Sequence, residues 1–457
     1  MSLPLRRSAA TSASWRGLLA RHRPSPAALA LAVYTFLLVS RLPELFSFIG
    51  VFRPVLLVAL LTVALAWTLP RMGLDAMLGA PESRAVLGIF ALVLASIPTS
   101  YWPGASFRFA VFGFSKTVIF FFLLLYCLRT FRELRHCVLA FVGSAAALEL
   151  GVLLFNVKER VRITGMYDPN DLAFVMVCTL PVAITLLMLE RGFWRYAMIA
   201  IVPLALVTII MTKSRGGFIS LLVVGAITLG KLPSRIPLLR TGLVVGGVLV
   251  FALFAPQSYW DRITTIWGQD QPQVEGQIQS SEPGQVEYVE QGFSARWRLW
   301  LTGLRLMLEH PILGVGANAF VMAEQGETFE KGSGLHGWKG AHNSFTQVGA
   351  ELGIAGFVLF VYLLYRAVRN YRMVIRLAGP VPQLRYHLWA AHGLEAATYG
   401  YIIAGAAINQ GYSAILYYLV AMSMLMKWGV LRDRAQLDNQ EAPQGPVPSV
   451  PWWKAPR

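Results

Sequence analysis

Apolar residues in this chain come in long runs separated by short polar punctuation. A membrane-spanning helix takes about 20 mostly apolar residues, so a window of about 19 is the natural ruler. Runs that approach or exceed it predict helices near residues 27–41, 52–70, 85–100, 109–128, 136–156, 171–189, 194–211, 216–230, 239–255, 345–366, 393–409 and 412–429. The first two are short and divided by "RLPELFSFIG". A single re-entrant element is the alternative there, and it would change the parity of everything downstream.

Between the ninth and tenth runs, residues 256–344 form the one long hydrophilic stretch. Its first part, "GQDQPQVEGQIQSSEPGQVEYVEQG", is acidic and nearly free of large apolar residues, the composition of a mobile segment. The second, "FSARWRLWLTGLRLMLEHP", repeats apolar residues at three- and four-residue steps: Phe293, Trp297, Trp300, Leu301, Leu304 and Leu308. That spacing predicts an amphipathic helix over about 293–310, ended by Pro311 and suited to a membrane interface with its tryptophans toward lipid.

Composition settles the class. A soluble chain of 457 residues would make two or three domains, but 56% hydrophobic and 14% charged residues describe an all-α polytopic integral membrane protein. A net charge of +16 raises the question of nucleic acid, yet no basic stripe interleaved with aromatics exists, and the positive charges sit at the ends of apolar runs. Cys127, Cys137 and Cys178 have no paired spacing of a metal site or disulfide framework. The N-terminal arginines before Ala27 resemble a signal peptide, but no small-residue cleavage site precedes Arg41, so a retained first helix is expected.

Charge placement tests the topology. With twelve spans and both ends inside, the cytoplasmic segments carry 25 Lys and Arg against 8 Asp and Glu, and the outer segments 14 against 16. This is the positive-inside asymmetry. The expected organisation is a cytoplasmic segment at 1–26, nine helices within 27–255, a periplasmic loop at 256–344, three helices within 345–430, and a disordered cytoplasmic tail at 431–457.

Four polar clusters fall on the outer face. In "GMYDPNDLA", Asp168, Asn170 and Asp171 precede the sixth helix, where Asp-Pro starts turns and Asp or Asn caps helices, so turn chemistry competes with substrate positioning. In "MTKSRGGFISLL", Lys213 and Arg215 stand before a Gly-Gly pair that opens the eighth helix, where free N–H groups and the helix dipole favour an anion. Arg215 adds a bidentate grip on phosphate, and the positive-inside tendency argues against idle positive charge on that face. On the amphipathic helix, Arg296 and Trp300 share a face and Arg298 points elsewhere, with a solvated face as the ordinary explanation of all its arginines. In "KGAHNSFTQVGAELG", His336, Lys339 and His342 crowd the start of the tenth helix, which Asn343 or Ser344 can cap. A histidine at a helix N-terminus favours its neutral form, the form of a general base, although a backbone-bonded interfacial histidine is the plainer alternative. His310, His387 and His392 read as structural. Asp168, Asp171, His336 and His342 lack the compact spacing of a metal site, and Ser344 beside His342 is more simply a cap than a nucleophile.

The stretches "RWRLWLTGLRLMLEHPILGVGANAF" and "AHNSFTQVGAELGIAGFVLFVYLLY" resemble the O-antigen ligase and polymerase superfamily, with the arginine four before a tryptophan, "HPILGVG", and a His-Asn pair opening a membrane helix. "DPNDLA" and "SRGG" fit the same pattern in the same order. The resemblance implies a GT-C-like fold and a bacterial inner-membrane glycosyltransferase acting at the periplasmic face. It implies a glycan donor on undecaprenyl diphosphate, a lipid A-core acceptor, surrounding membrane lipids, and neither a metal nor another cofactor. It further implies that Arg215 and Arg296, with Lys213 and Arg298 beside them, hold the diphosphate, that His342 takes the acceptor proton, and that Asp168, Asn170, Asp171, Asn343, Trp300 and His336 position substrate. An O-antigen polymerase or a protein or exopolysaccharide ligase carries the same motifs. A lipid-linked glycan transporter is the alternative of another class, but transport favours ionisable groups near the midplane and related halves, whereas the notable charges here gather at one face.

Overall fold

The computed structural model describes residues 23–45, 47–70, 74–154, 168–232, 237–254, 293–324 and 340–441. Among them there are helices and turns and no strand. A helix stands at each of the twelve places where the apolar runs put one: α1 (Pro26–Ser40), α2 (Pro54–Trp67), α3 (Pro81–Ala95), α4 (Pro103–Cys127), α5 (Phe131–Leu154), α6 (Pro169–Leu189), α7 (Phe193–Met211), α8 (Arg215–Lys231) and α9 (Pro237–Phe254), then, after α10 (Phe293–Glu309), α11 (Ser344–Ala378), α12 (Arg385–Gly405) and α13 (Ala414–Glu441). Among the described residues, six are long and apolar enough to cross a membrane: α4, α5, α6, α7, α11 and the Ala414–Asp438 part of α13. The chain is a multi-pass membrane protein. His336, Lys339 and the acidic part of the long loop lie outside the described residues.

The short first pair makes an up-and-down hairpin. α1 starts where the Ser25 N–H bonds Glu133 Oε1 at 2.9 Å, beside the start of α5. α2 packs back along α1 and ends near Pro70, whose carbonyl accepts from Arg129 Nη2 at 2.7 Å, the residue just ahead of that same start. The two helices therefore return to the end of the bundle they left.

α6 is the centre of the bundle, buried along nearly its whole length and packed by α12, α7, α8 and α5. Small residues permit the closest approach, as is usual where lipid supplies no hydrophobic drive between helices. A Cβ added at Gly393 of α12 would meet Thr185 Oγ1 at 2.2 Å, and one at Gly400 would meet the Val177 carbonyl oxygen at 3.0 Å.

Carboxylates at the end opposite the polar clusters are buried and paired. Arg135 Nη2 meets Glu190 Oε2 at 2.6 Å, Arg366 Nη2 meets Glu82 Oε1 at 2.8 Å with Asn370 Nδ2 on the same oxygen at 2.9 Å, and Lys231 and Arg372 both pair with Glu395. His387 Nε2 stands 3.3 Å from Asp433 Oδ2. This pairing explains a difference from the sequence expectation. The basic run "RAVRNYRMVIR" is not a loop after residue 366 but continues α11 to Ala378, because Asn370, Tyr371 and Val374 are buried and Arg366 and Arg372 have acidic partners on other helices. α13 likewise continues to Glu441, past Arg434 where the apolar pattern ends.

α11 is broken at Gly353, with φ 70° and ψ −168°. A break exposes backbone groups that have no water to bond in a membrane setting, so other protein must bond them. The turn after α10 does so: Val315 N–H donates to the Ala350 carbonyl at 2.8 Å, Gly316 N–H to that of Glu351 at 3.1 Å, and Ile354 N–H to that of Pro311 at 2.9 Å. The turn is tied to α3 and α4 in its own right, through Tyr101 N–H to the Val315 carbonyl and Ser106 Oγ to the Ala317 carbonyl. The motif "HPILGVGA" is thus the brace that locks α10 against the kink of α11.

Candidate active site

The polar clusters meet at one end of the bundle. Asp168 caps α6, its Oδ1 accepting the Asp171 N–H at 2.7 Å, as an Asp before a helix-starting proline should. Ser214 caps α8 by accepting the Gly217 N–H at 3.1 Å, and its own hydroxyl donates a hydrogen bond to Asn170 Oδ1 at 2.7 Å. This contact sets Arg215, the first residue of α8, beside the start of α6. One helix-start N–H that the sequence left open for an anion is therefore already bonded by Ser214. The Gly-Gly pair has a packing reason as well: a Cβ at Gly217 would lie 2.6 Å from the Ala173 Cβ, and one at Gly216 would lie 3.1 Å from that of Ala407. Lys213, half-buried, has a left-handed backbone with φ 52°.

α10 lies along the first half of α11. Its inward face is Leu299, Gly303 and Leu306, while Trp297, Leu301, Leu304 and Leu308 of the apolar stripe are exposed. A Cβ on Gly303 would reach Thr346 Cβ at 2.9 Å, so the helix sits close over the first turn of α11. Trp300 does not face lipid as expected from the stripe: it is half-buried, and its indole N–H donates to the His342 carbonyl at 3.2 Å. Arg296, one turn earlier and half-buried, shares that side. Arg298 is exposed on the other.

His342 adopts φ 46°, a conformation uncommon in residues with a Cβ. The reason is local. Asn343 is the N-cap of α11 and is extended, with its Oδ1 accepting from Phe345 N–H at 2.8 Å and Thr346 N–H at 3.2 Å, so the chain must turn sharply just before it. Of the two capping candidates, Asn343 caps. Ser344 bonds elsewhere, donating to the Ile408 carbonyl at 2.8 Å and accepting the Gln410 N–H at 3.0 Å. Burial holds the His342 imidazole below its ordinary pKa, the Arg296 charge lowers it further, and Asp168 opposes them. The imidazole is therefore neutral at neutral pH and flanked by a cation on α10 and a carboxylate ahead of α6.

Behind this group lies the turn between α12 and α13, which the sequence reading passes over. Gln410 Nε2 donates to Asp171 Oδ1 at 2.8 Å, and the Gln410 carbonyl accepts from Tyr401 Oη at 2.5 Å. Beside it is a partly open cavity of about 170 Å³ between the end of α1, the start of α6 and the start of α13. Arg41, Asp171, Gln410 and Ser413 supply its polar lining, and Val39, Phe174 and Ile415 much of its apolar wall. One signal for Arg41 exists in the sequence: it is an arginine on the face expected to be outer, where the tendency invoked for Arg215 disfavours positive charge. Gln410 carries no such mark. Among the described residues, no three His, Cys, Asp or Glu side chains stand where they would hold a metal ion.

A family model described as O-Antigen ligase matches residues 199–361. Those residues include Arg215, Arg296, Trp300 and His342, whereas the Asp168–Asp171 turn, Arg41 and Gln410 fall outside the match. No curated protein matches the chain.

Proposed function

The chain belongs to the O-antigen ligase and polymerase superfamily, carrying its domain at residues 199–361, and from that premise we propose that it is an O-antigen ligase. In this reading it moves a glycan from undecaprenyl diphosphate to a sugar hydroxyl of the lipid A-core, at the periplasmic face of the inner membrane. The observation that carries the proposal is the setting of His342. Its imidazole is kept neutral by burial and by Arg296, and its backbone is held by the Asn343 cap and the Trp300 hydrogen bond.

The chemistry asks little more. A sugar on diphosphate already has a good leaving group, so catalysis consists of activating one hydroxyl and stabilising charge on the departing phosphate. The His342 imidazole takes the acceptor O–H proton as the acceptor oxygen bonds the anomeric carbon. The bond from that carbon to the phosphate oxygen breaks, and its electron pair leaves with the diphosphate. Arg296 and Arg215 meet that growing negative charge, with Lys213 and Arg298 beside them. One displacement assisted by one base inverts the anomeric configuration. Asp168 and Asp171 already serve the α6 cap and Gln410, which supports positioning work rather than nucleophilic attack. In this reading the polyprenyl chain remains in the surrounding lipid, and no metal takes part.

Purified protein in lipid, given a lipid-diphosphate glycan and lipid A-core acceptor, should form the ligated product. His342→Ala should lower the rate by about 10²-fold or more, the scale of general-base catalysis, and Arg215→Ala and Arg296→Ala should each lower it strongly. No product with the wild type, or unchanged product with His342→Ala, would refute the proposal. Loss of activity with a chelator and its return with magnesium would refute the metal-free mechanism.

A further inference from the structure

We propose that the cavity between α1, α6 and the start of α13 is a binding site for one sugar ring, with Asp171, Gln410, Ser413 and Arg41 as its polar contacts. The source of that sugar rests on the glycan-transfer reading; the chemistry of the cavity does not.

Size favours a small group. At about 170 Å³ the cavity falls well below the roughly 300 Å³ at which pockets for drug-sized molecules begin. Its lining is divided: Asp171, Gln410, Ser413 and Arg41 stand together with Phe174, Val39 and Ile415. Vicinal hydroxyls match the first set, and the C–H face of a pyranose matches the second.

Charge argues against phosphate as the occupant. Arg41 Nη2 is paired with Glu44 Oε2 at 2.6 Å, and Asp171 adds a second carboxylate, so the lining has no excess of positive charge for an anion. A neutral polyol suits a site where donors and acceptors are balanced. Arg41 also occupies the left-handed cap after α1, with φ 48°, a position usually given to glycine. A long charged side chain is thereby kept where the backbone favours none, and it lines the cavity.

The cavity is also linked to the reacting group through hydrogen-bonded neighbours. Gln410 lines it with its side chain and bonds Ser344 with its backbone N–H, two residues beyond His342. Asp171 lines it too, while Asp168, which caps the same helix, acts on the His342 imidazole. A ring seated there lies at the same end of the bundle as the candidate base, where an acceptor or donor sugar has to come.

Ser413→Cys tests the site by labelling. Cys127, Cys137 and Cys178 are buried, so a membrane-impermeant maleimide should label the variant and spare the wild type. Three ligands are then compared: the lipid-linked glycan, polyprenyl diphosphate without sugar, and the acceptor glycolipid. Labelling about tenfold slower with the first or the third alone supports the proposal, and the protecting arm names the source. Failure of the Ser413→Cys variant to label, equal labelling in all arms, or protection by the sugarless lipid would overturn it. Gln410→Ala should raise the KM of the protecting substrate about tenfold with a smaller change in kcat, and an unchanged KM would count against it. Wild-type transfer is measured alongside. Transfer without protection removes this site alone, and protection without transfer removes the ligase reading alone.

Discussion

His342 is the residue on which the proposed chemistry turns, and its surroundings set a pH dependence. Burial and Arg296 disfavour the imidazolium, whereas Asp168 favours it. A base must be deprotonated, so transfer should stay flat down past the ordinary imidazole value of about 6.5 and fall only at lower pH. Arg296→Gln removes a cation that disfavours the imidazolium, raises the imidazole pKa and moves the acid limb to higher pH. Asp168→Asn removes a supporting anion and moves the limb to lower pH. Rate profiles of the three proteins, each normalised to its own plateau, check both directions; limbs that coincide would mean that His342 is not the titrating base.

At the scale of elements, the brace between the turn after α10 and the break of α11 decides how firmly the His342 end is held. Gly353 has φ 70°, and a Cβ there would meet the Pro311 carbonyl oxygen at 2.4 Å. Gly353→Ala combines a disfavoured left-handed backbone with a clash and should cost about 2 kcal/mol or more, in the upper part of the usual range for point substitutions. Thermal unfolding in detergent should show a clear fall. Gly225→Ala in α8 meets nothing within 4 Å and replaces glycine in a helix interior, so its midpoint should hold or rise. The amphipathic period of α10 was legible from Phe293 to Leu308, but the face it buries was not. The large apolar residues look outward, and the inward side is chosen by small Gly303 and by Leu299 and Leu306, which fit the first turns of α11. Steric fit between two helices decided that, and steric fit is absent from a one-dimensional pattern.

At the scale of the molecule, the two ends of the bundle differ in kind. One end holds the interlocked caps and the cavity; the other holds ion pairs on buried carboxylates, Arg135 with Glu190, Arg366 with Glu82, and Lys231 and Arg372 with Glu395. The same division follows from the excess of basic residues on segments expected to be cytoplasmic. An alkaline phosphatase reporter, active only outside the cytoplasm, should be active when fused after Glu324 and inactive when fused after Gly379. The reverse result would invert the topology and move the candidate site to the cytoplasmic side.

The sequence by itself determined the class of the protein, the places of its helices and the polar clusters worth attention. Each of these is a local or additive property: apolar run length, capping residues, charge counted by segment. It also carried Arg215, Arg296 and His342 through the order of four motifs. Only the tertiary structure decided which groups act on one another. It put Arg296 rather than Arg298 on the side of His342, gave the cap of α11 to Asn343, and turned Trp300 onto the His342 carbonyl. It brought Gln410 and Arg41 to Asp171, across separations that no periodicity spans. Those pairings follow from helices that cross at close contact, where the position of a glycine or the break of a helix sets which side chains meet.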